Sequence, residues 1–325
     1  MDAARRAELL DEYEGGFDAV ARSIEGMTER ELDTRESPGQ WSSRELIHHY
    51  AESEMIAAIR LRRLIAEQNP VIEPYDQDDY ARILFYDRPI EASLGAFEYA
   101  LKTNVQIMRR LPDDIWTKGG VHPESGPFDL NRFVEMYAGH GVWHADQFAR
   151  ARAGAVHTPV NPVEAARPDE LSGLIERYER GHQAVMDALA DATETELDQA
   201  EAPGEWSPRQ VAHHLADSET ISVQRFRRLL VEDRPFIQSY DQDLYAAKLF
   251  YDRPMANSLQ LFRYVRETTA LMLRRLDASQ WARVGVHSEN GDITVVIWLE
   301  TYARHAEDHA AQIRRARAAS ATPTA

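Results

Sequence analysis

The chain contains no cysteine, which excludes disulfides, thiolate-ligated metals and a cysteine nucleophile. It also lacks any apolar run near the roughly 20 residues needed to cross a bilayer. Its first residues, MDAARRAELLDEYEGG, have no apolar leader core and are patterned as an amphipathic helix. A cytoplasmic protein is the resulting expectation. Positive charge is scarce: 37 basic residues face 54 acidic ones, for a net charge of -17. Nucleic-acid binders draw most of their affinity from Lys and Arg against phosphate, so a small-molecule substrate is expected, and neither nucleic acid nor a membrane. No phosphate-cradling glycine loop is present, and no nucleophile-elbow motif supports a Ser-His-Asp triad.

What is present is written twice. At an offset of 165 residues, YDQDDYARILFYDRP from Tyr75 faces YDQDLYAAKLFYDRP from Tyr240, with 12 of 15 positions identical. Trp41 matches Trp206, Trp116 matches Trp281, and GVHPESG faces GVHSENG. Self-similarity of this kind marks a duplicated structural unit. The expected domains are 1–154 and 166–318, joined by a Pro-containing linker at 155–165 and followed by a disordered tail at 319–325.

Each copy is patterned for helices. Ser42 with Glu45, and Ser207 with Gln210, form capping boxes, and Pro208 takes the favoured first helical position. The helices they open are expected to reach about Gln68 and Glu232. Further helices follow Pro89 and Pro254 to about Leu111 and Leu276, and the last ones begin near Asp129 and Thr294. With an opening helix and a short one around Asp76–Leu84, each copy reads as a four-helix bundle. Strand-type alternation is nearly absent, so the expected class is all-α: two tandem bundles related by a pseudo-twofold.

Ten of the 12 histidines pair across the repeat: His48/His213, His49/His214, His122/His287, His140/His305 and His144/His309. His140 and His144, like His305 and His309, stand four apart and so share one helix face. Two imidazoles alone are common and usually inert, whereas a third from another helix makes a metal site with an open position. The adjacent pair on the second helix offers that third ligand. His214 shares a face with Val211 and Ile221, and His49 with Leu46 and Ile56, which points both inward. His213 shares its face with Arg209, Thr220 and Gln224, a more polar and outward set. The zincin pattern, by contrast, requires Glu directly after the first histidine, where Gly141 and Ala306 stand.

The run WSPRQVAHHLADSE, then YDQ, then GVHSENG, then YARHAEDHAAQI resembles the DinB-like superfamily, particularly its YfiT-type branch, over nearly all of each copy. That resemblance implies a four-helix bundle whose three histidines bind a divalent metal, zinc or nickel most often and iron in related domains. Carried over, the ligands are His49, His140 and His144, then His214, His305 and His309. It also implies an S-transferase using a low-molecular-weight thiol, or a metal-dependent hydrolase; an alternative of a different class is a non-catalytic protein that uses metal or bundle for stability and binds a partner. The family often has a further histidine three residues after the HxxxH pair, where this chain has Gln147 and Gln312.

Residues near the ligands complete the expected site. Glu52 and Asp217 lie three past the second-helix ligand, and His122 and His287, in a loop, are candidates for a general base or simple turn residues. Arg60 and Arg225 lie 11 past it on nearly the same face and could hold the carboxylate of a peptide-like thiol. The near identity of Tyr75–Gln77 with Tyr240–Gln242 marks a pocket lip or, preferably, an interface between copies. Relatives with a single domain are often homodimers, so a monomer that forms an intramolecular pseudo-dimer, or a homodimer, is expected.

Overall fold

The structure, a computed structural model, describes residues 1–157 and 169–320. The chain divides into two compact units, Met1–Pro162 and Val163–Ala325. In unit 1 the helices are α1 (Ala3–Glu14), α2 (Gly16–Ile24), α3 (Glu29–Leu32), α4 (Ser43–Ala66), α5 (Gln77–Ile83), α6 (Glu91–Met108), α7 (Leu130–Ala138), α8 (His140–Trp143) and α9 (Ala145–Ala153). Unit 2 holds α10 (Asp169–Leu189), α11 (Glu194–Asp198), α12 (Pro208–Val231), α13 (Gln242–Lys248), α14 (Ala256–Leu273), α15 (Ala278–Trp281) and α16 (Val295–Ser320). Each unit is a four-helix bundle: α1–α2, α4, α6 and α7–α9 in the first, α10, α12, α14 and α16 in the second.

The capping boxes at Ser42/Glu45 and Ser207/Gln210 are formed and set where α4 and α12 begin. These two helices run through the middle of their bundles, and almost every residue from Leu46 to Ala58 and from Val211 to Val223 is buried. Polar residues enclosed there must find partners or cost free energy. Arg62 accordingly donates to the Ala58 carbonyl and to Asn104 Oδ1, each at 3.0 Å. Arg227 does the same toward the Val223 carbonyl at 3.2 Å.

Three differences from the sequence reading have local causes. In unit 1 the first and last helices are interrupted, at Gly15 and around Gly139–Gly141, whereas α10 and α16 are continuous. Glycine is a poor interior helix residue, and the second copy carries Arg180, Arg304 and Ala306 at the positions of Gly15, Gly139 and Gly141. Short strands, missed because four residues are too few to show alternation, pair as hairpins. In unit 1, β2 (Gly119–His122) runs antiparallel to β3 (Gly126–Asp129). In unit 2, β5 (Phe236–Ile237) lies parallel to β6 (Val284–His287), which pairs with β7 (Gly291–Thr294). Gly126 and Gly291, at φ of 78° and 71°, close the two hairpin turns.

The third difference concerns the linker. Its start, β4 (Val156–His157), pairs with β1 (Thr34–Arg35) of unit 1. The rest of that segment, 158–165, lies outside the described residues. Of the expected tail, 319–320 belong to α16, and 321–325 lie outside the described residues.

Candidate metal centre

In each unit the first third of α4 or α12 faces the middle of the last helix, α7–α9 or α16, and there three imidazoles meet. His49, His140 and His144 form one group, and His214, His305 and His309 the other; within each, the ligand nitrogens all lie within 4.8 Å of one another. In unit 2 the convergence is direct. His305 Nε2 stands 3.2 Å from His214 Nε2 and 3.1 Å from His309 Nε2. Two imidazole nitrogens held tetrahedrally by one ion at about 2.0–2.1 Å stand roughly 3.3 Å apart, so the spacing matches the donor set of such a site. In unit 1 the ring centroids lie 5.3–5.7 Å apart.

The imidazoles are poised as neutral ligands. Burial, helped by the neighbouring histidines, holds His49, His140 and His305 down to about 3. His214 is lowered well below its ordinary value for the same reason, and His309 is lowered by burial although Gln312 opposes it. Neutral imidazole is the form that offers a lone pair to a metal.

Orientation is set around the rings. His144 Nδ1 lies 2.7 Å from Gln147 Oε1, and His309 Nδ1 lies 2.8 Å from Gln312 Oε1. The carboxamide oxygen can only accept, so Nδ1 carries the proton and Nε2 is left bare toward the group. Trp41 packs on His49 at 4.9 Å between ring centroids, and Trp206 on His214 at 4.5 Å. Nδ1 of His49, His214 and His305 is buried without a hydrogen-bond partner.

The other histidines of the repeat are placed differently. His48 and His213, expected to face outward, are fully buried, because α4 and α12 are enclosed on all sides and leave no polar face. Nε2–H of each donates to the carbonyl of Arg88 or Arg253, at 3.0 and 2.9 Å, and Nδ1 accepts from the hydroxyl of Ser93 or Ser258. They lock the YDRP segment onto the bundle. His122 and His287 sit at the ends of β2 and β6, outside the three-histidine groups, and Nδ1 of each accepts a backbone N–H from its own turn, of Glu124 or Glu289.

The carboxylates three past the ligand are buried and engaged. Glu52 pairs with Arg88 at 3.3 Å, and Asp217 accepts from the Tyr251 hydroxyl at 2.9 Å. Neither belongs to the groups of converging ligand atoms. Arg60 donates to the Tyr137 hydroxyl and the Glu73 carbonyl, at 3.0 and 2.7 Å. Arg225 does so to Tyr302 and the Gln238 carbonyl, at 3.2 and 2.8 Å. These arginines tie the segment after the second helix to the last helix.

A cavity of about 200 Å³ opens on the unit 2 group, lined by Glu205, Trp206, Gln242, Asp243, His309 and Gln312. Two of these, Gln242 and Asp243, belong to the YDQD run, which therefore reaches the site. Sequence reasoning assigned no role to Gln312 or Gln147, although their spacing, three past a ligand on one helix, carried the signal.

Two helical bundles, each bringing three histidines together against a tryptophan, with Nε2 atoms converging in unit 2, define a duplicated protein of the metal-binding bundle class. The model of the DinB superfamily matches residues 12–148 and again 177–313, and the chain belongs to that superfamily. One copy is similar to a protein of Oceanobacillus iheyensis named "putative metal-dependent hydrolase", 36% identical over 137 residues, covering 42% of this chain and 80% of that protein. A Bacillus mycoides protein of the same description is 30% identical over 143 residues, covering 44% and 83%. Among solved structures, YfiT from Bacillus subtilis, titled "a probable metal-dependent hydrolase with an unusual four-helix bundle topology", is 28% identical with a TM-score of 0.44 and covers 48% of this chain and 90% of its own.

Proposed function

We propose that each unit binds one divalent metal ion, zinc or nickel in preference to iron, through three histidines, His49, His140 and His144 in one and His214, His305 and His309 in the other, and that the protein is a thiol-dependent S-transferase. The observation that carries the reading is the convergence of three Nε2 atoms with the fourth direction left open to a cavity. A divalent ion there supplies a Lewis acid that lowers the pKa of a thiol or water at its open position.

The chain's own residues supply the rest. Gln147 and Gln312 hold the Nδ1 proton and aim the ring; Trp206 walls the pocket and sheds water from it. In the transfer, the thiol sulfur forms a C–S bond to an electrophilic carbon. The bond to the leaving group breaks with its electron pair, and the thiol proton passes to solvent. This chemistry needs no protein base at the sulfur, which accords with Glu52 and Asp217 being committed to Arg88 and Tyr251.

A second reading, hydrolysis by activated water, is favoured by the names of the relatives. It needs a base, for which the carboxylates at the cavity rim, Glu205 and Asp243, are the available groups. The deciding experiment has two parts. Mass spectrometry on untagged protein finds about two metal equivalents per chain, lost in a His144→Ala, His309→Ala double variant. The loaded protein then consumes a thiol only when an electrophile is present. Hydrolysis of ester or amide substrates without thiol turnover decides for the second reading, and absence of metal after reconstitution overturns both.

A further inference from the structure

The two centres differ in charge at one rim position. In unit 2, Glu205 lines the cavity beside Trp206, and Asp243 lines it too. The equivalent residues of unit 1 are Gln40 and Asp78. Neither Glu205 nor Asp243 has an ion-pair or side-chain hydrogen-bond partner among the described residues, although this chain pairs many of its surface acids with arginine. Near Gln40, Arg35 donates to the Gln40 carbonyl at 3.0 Å, but it is neutralised by its salt bridge with Glu45. Unit 2 replaces that pair by Ala200 and Gln210, both neutral. Among the residues lining this cavity and their unit 1 counterparts, the one difference in charge is therefore Glu205.

The mouth also leads somewhere. Its lining includes His309, which converges with His214 and His305. Its wall is the Trp206 indole, a surface that attracts cations over its face. The cavity, about 200 Å³ and open to solvent, is large enough for a small molecule. We infer that the unit 2 centre takes a small substrate or thiol bearing an ammonium or guanidinium group, with Glu205 as the residue that sets this preference, while the unit 1 centre, with Gln40 in that place, shows it more weakly. The inference rests on the metal reading above and specifies the ligand class of that same site. One further unpaired carboxylate within a few ångströms of a bound cation, only partly screened by solvent, gives a difference between the centres of about tenfold. It shrinks as salt is raised.

The test uses the full chain loaded with cobalt(II), whose absorption reports thiol ligation. His309→Ala leaves only the unit 1 centre and His144→Ala only the unit 2 centre. Each is titrated with cysteamine and with 3-mercaptopropionate, thiols of similar size and opposite charge. Comparing the ratio of the two affinities between centres cancels the intrinsic difference in thiol acidity. The expected cysteamine preference of unit 2 exceeds that of unit 1 by about tenfold. Glu205→Gln in the His144→Ala background abolishes the excess, and Gln40→Glu in the His309→Ala background creates it. Equal ratios at the two centres, no thiol ligation at unit 2, or a ratio untouched by both rim variants overturns the inference while leaving the metal reading intact. Failure of either centre to take up cobalt overturns both.

Discussion

Gln312 Oε1 lies 2.8 Å from Nδ1 of His309, and Gln147 repeats the relationship with His144 at 2.7 Å. The second histidine of each HxxxH pair is therefore the one whose tautomer is fixed from outside the group. Groups that hold a ligand's far nitrogen typically contribute ten- to a hundredfold to metal affinity. Gln312→Leu is expected to weaken zinc binding at unit 2 by roughly that factor and leave unit 1 unchanged, read by competition with a chromophoric chelator. Gln312→Glu, which keeps an acceptor, retains the affinity. An equal loss in both variants points instead to general disruption of α16.

The metal-free protein is expected to lose stability in acid for a specific reason. Burial holds His49, His140 and His305 at about 3, against about 6.5 in an unfolded chain. Between those values the unfolded chain binds more protons than the folded one. Stability is then complete above about pH 6.5 and falls as pH drops toward 3. Urea midpoints of apo protein measured from pH 7.5 to 4 follow this slope, and His140→Asn with His305→Asn flattens part of it. A profile unchanged by those substitutions shows that other groups control the acid limb.

The packing of the opening helix on the last one predicts a compensating pair. A Cβ at Gly181 lands 2.6 Å from the Ala306 Cβ and 2.7 Å from Arg266 Nη2. In unit 1 the same crossing is made by Gly16 and Gly141, whose backbones touch. Gly181→Ala is expected to destabilise unit 2 by about 1–3 kcal/mol through overpacking. Adding Ala306→Gly recovers most of the loss, which thermal unfolding of the single and double variants measures. No recovery means that the clash with Arg266 dominates.

Much of this was legible because helical spacing is a strong signal. His140 and His144 fall on one face by arithmetic alone, and Ser42 and Ser207 announce where the ligand helices start. The face argument also separated His49 and His214 from their neighbours as the inward ligands. It failed for His48 and His213 because α4 and α12 are surrounded, so a face with Arg209 and Thr220 on it is still buried. The role of Gln147 and Gln312 depends on which way a carboxamide turns, which spacing does not encode. The hairpins carrying His122 and His287 were missed because four-residue strands are held by backbone pairing and a glycine turn, not by side-chain pattern.

Beneath the two centres the same glutamate is balanced in different ways. Glu54 is buried with the Tyr13 hydroxyl and Asn104 as its hydrogen-bond neighbours, and burial pushes it up to about 8. Its counterpart Glu219 accepts from Tyr178 and pairs at 2.6 Å with Arg266, a residue that replaces Leu101. A carboxyl with a raised folded pKa binds more protons folded than unfolded. Glu54 therefore lowers the stability of unit 1 progressively as pH rises from about 4.5 to about 8. Glu54→Gln, which keeps a hydrogen-bonding group without the charge, is expected to remove that loss, so the variant gains on the wild type as pH increases from 5.5 to 8.5. Burial raises Glu219 as well, against the opposing Arg266 guanidinium, but Glu219→Gln leaves that guanidinium buried without its countercharge, a change that typically costs about 3–5 kcal/mol. Denaturant unfolding of both variants across that range separates the cases. Equal effects at every pH show that Glu54 is ionised in the folded protein and that the carboxamide and carboxylate are interchangeable there.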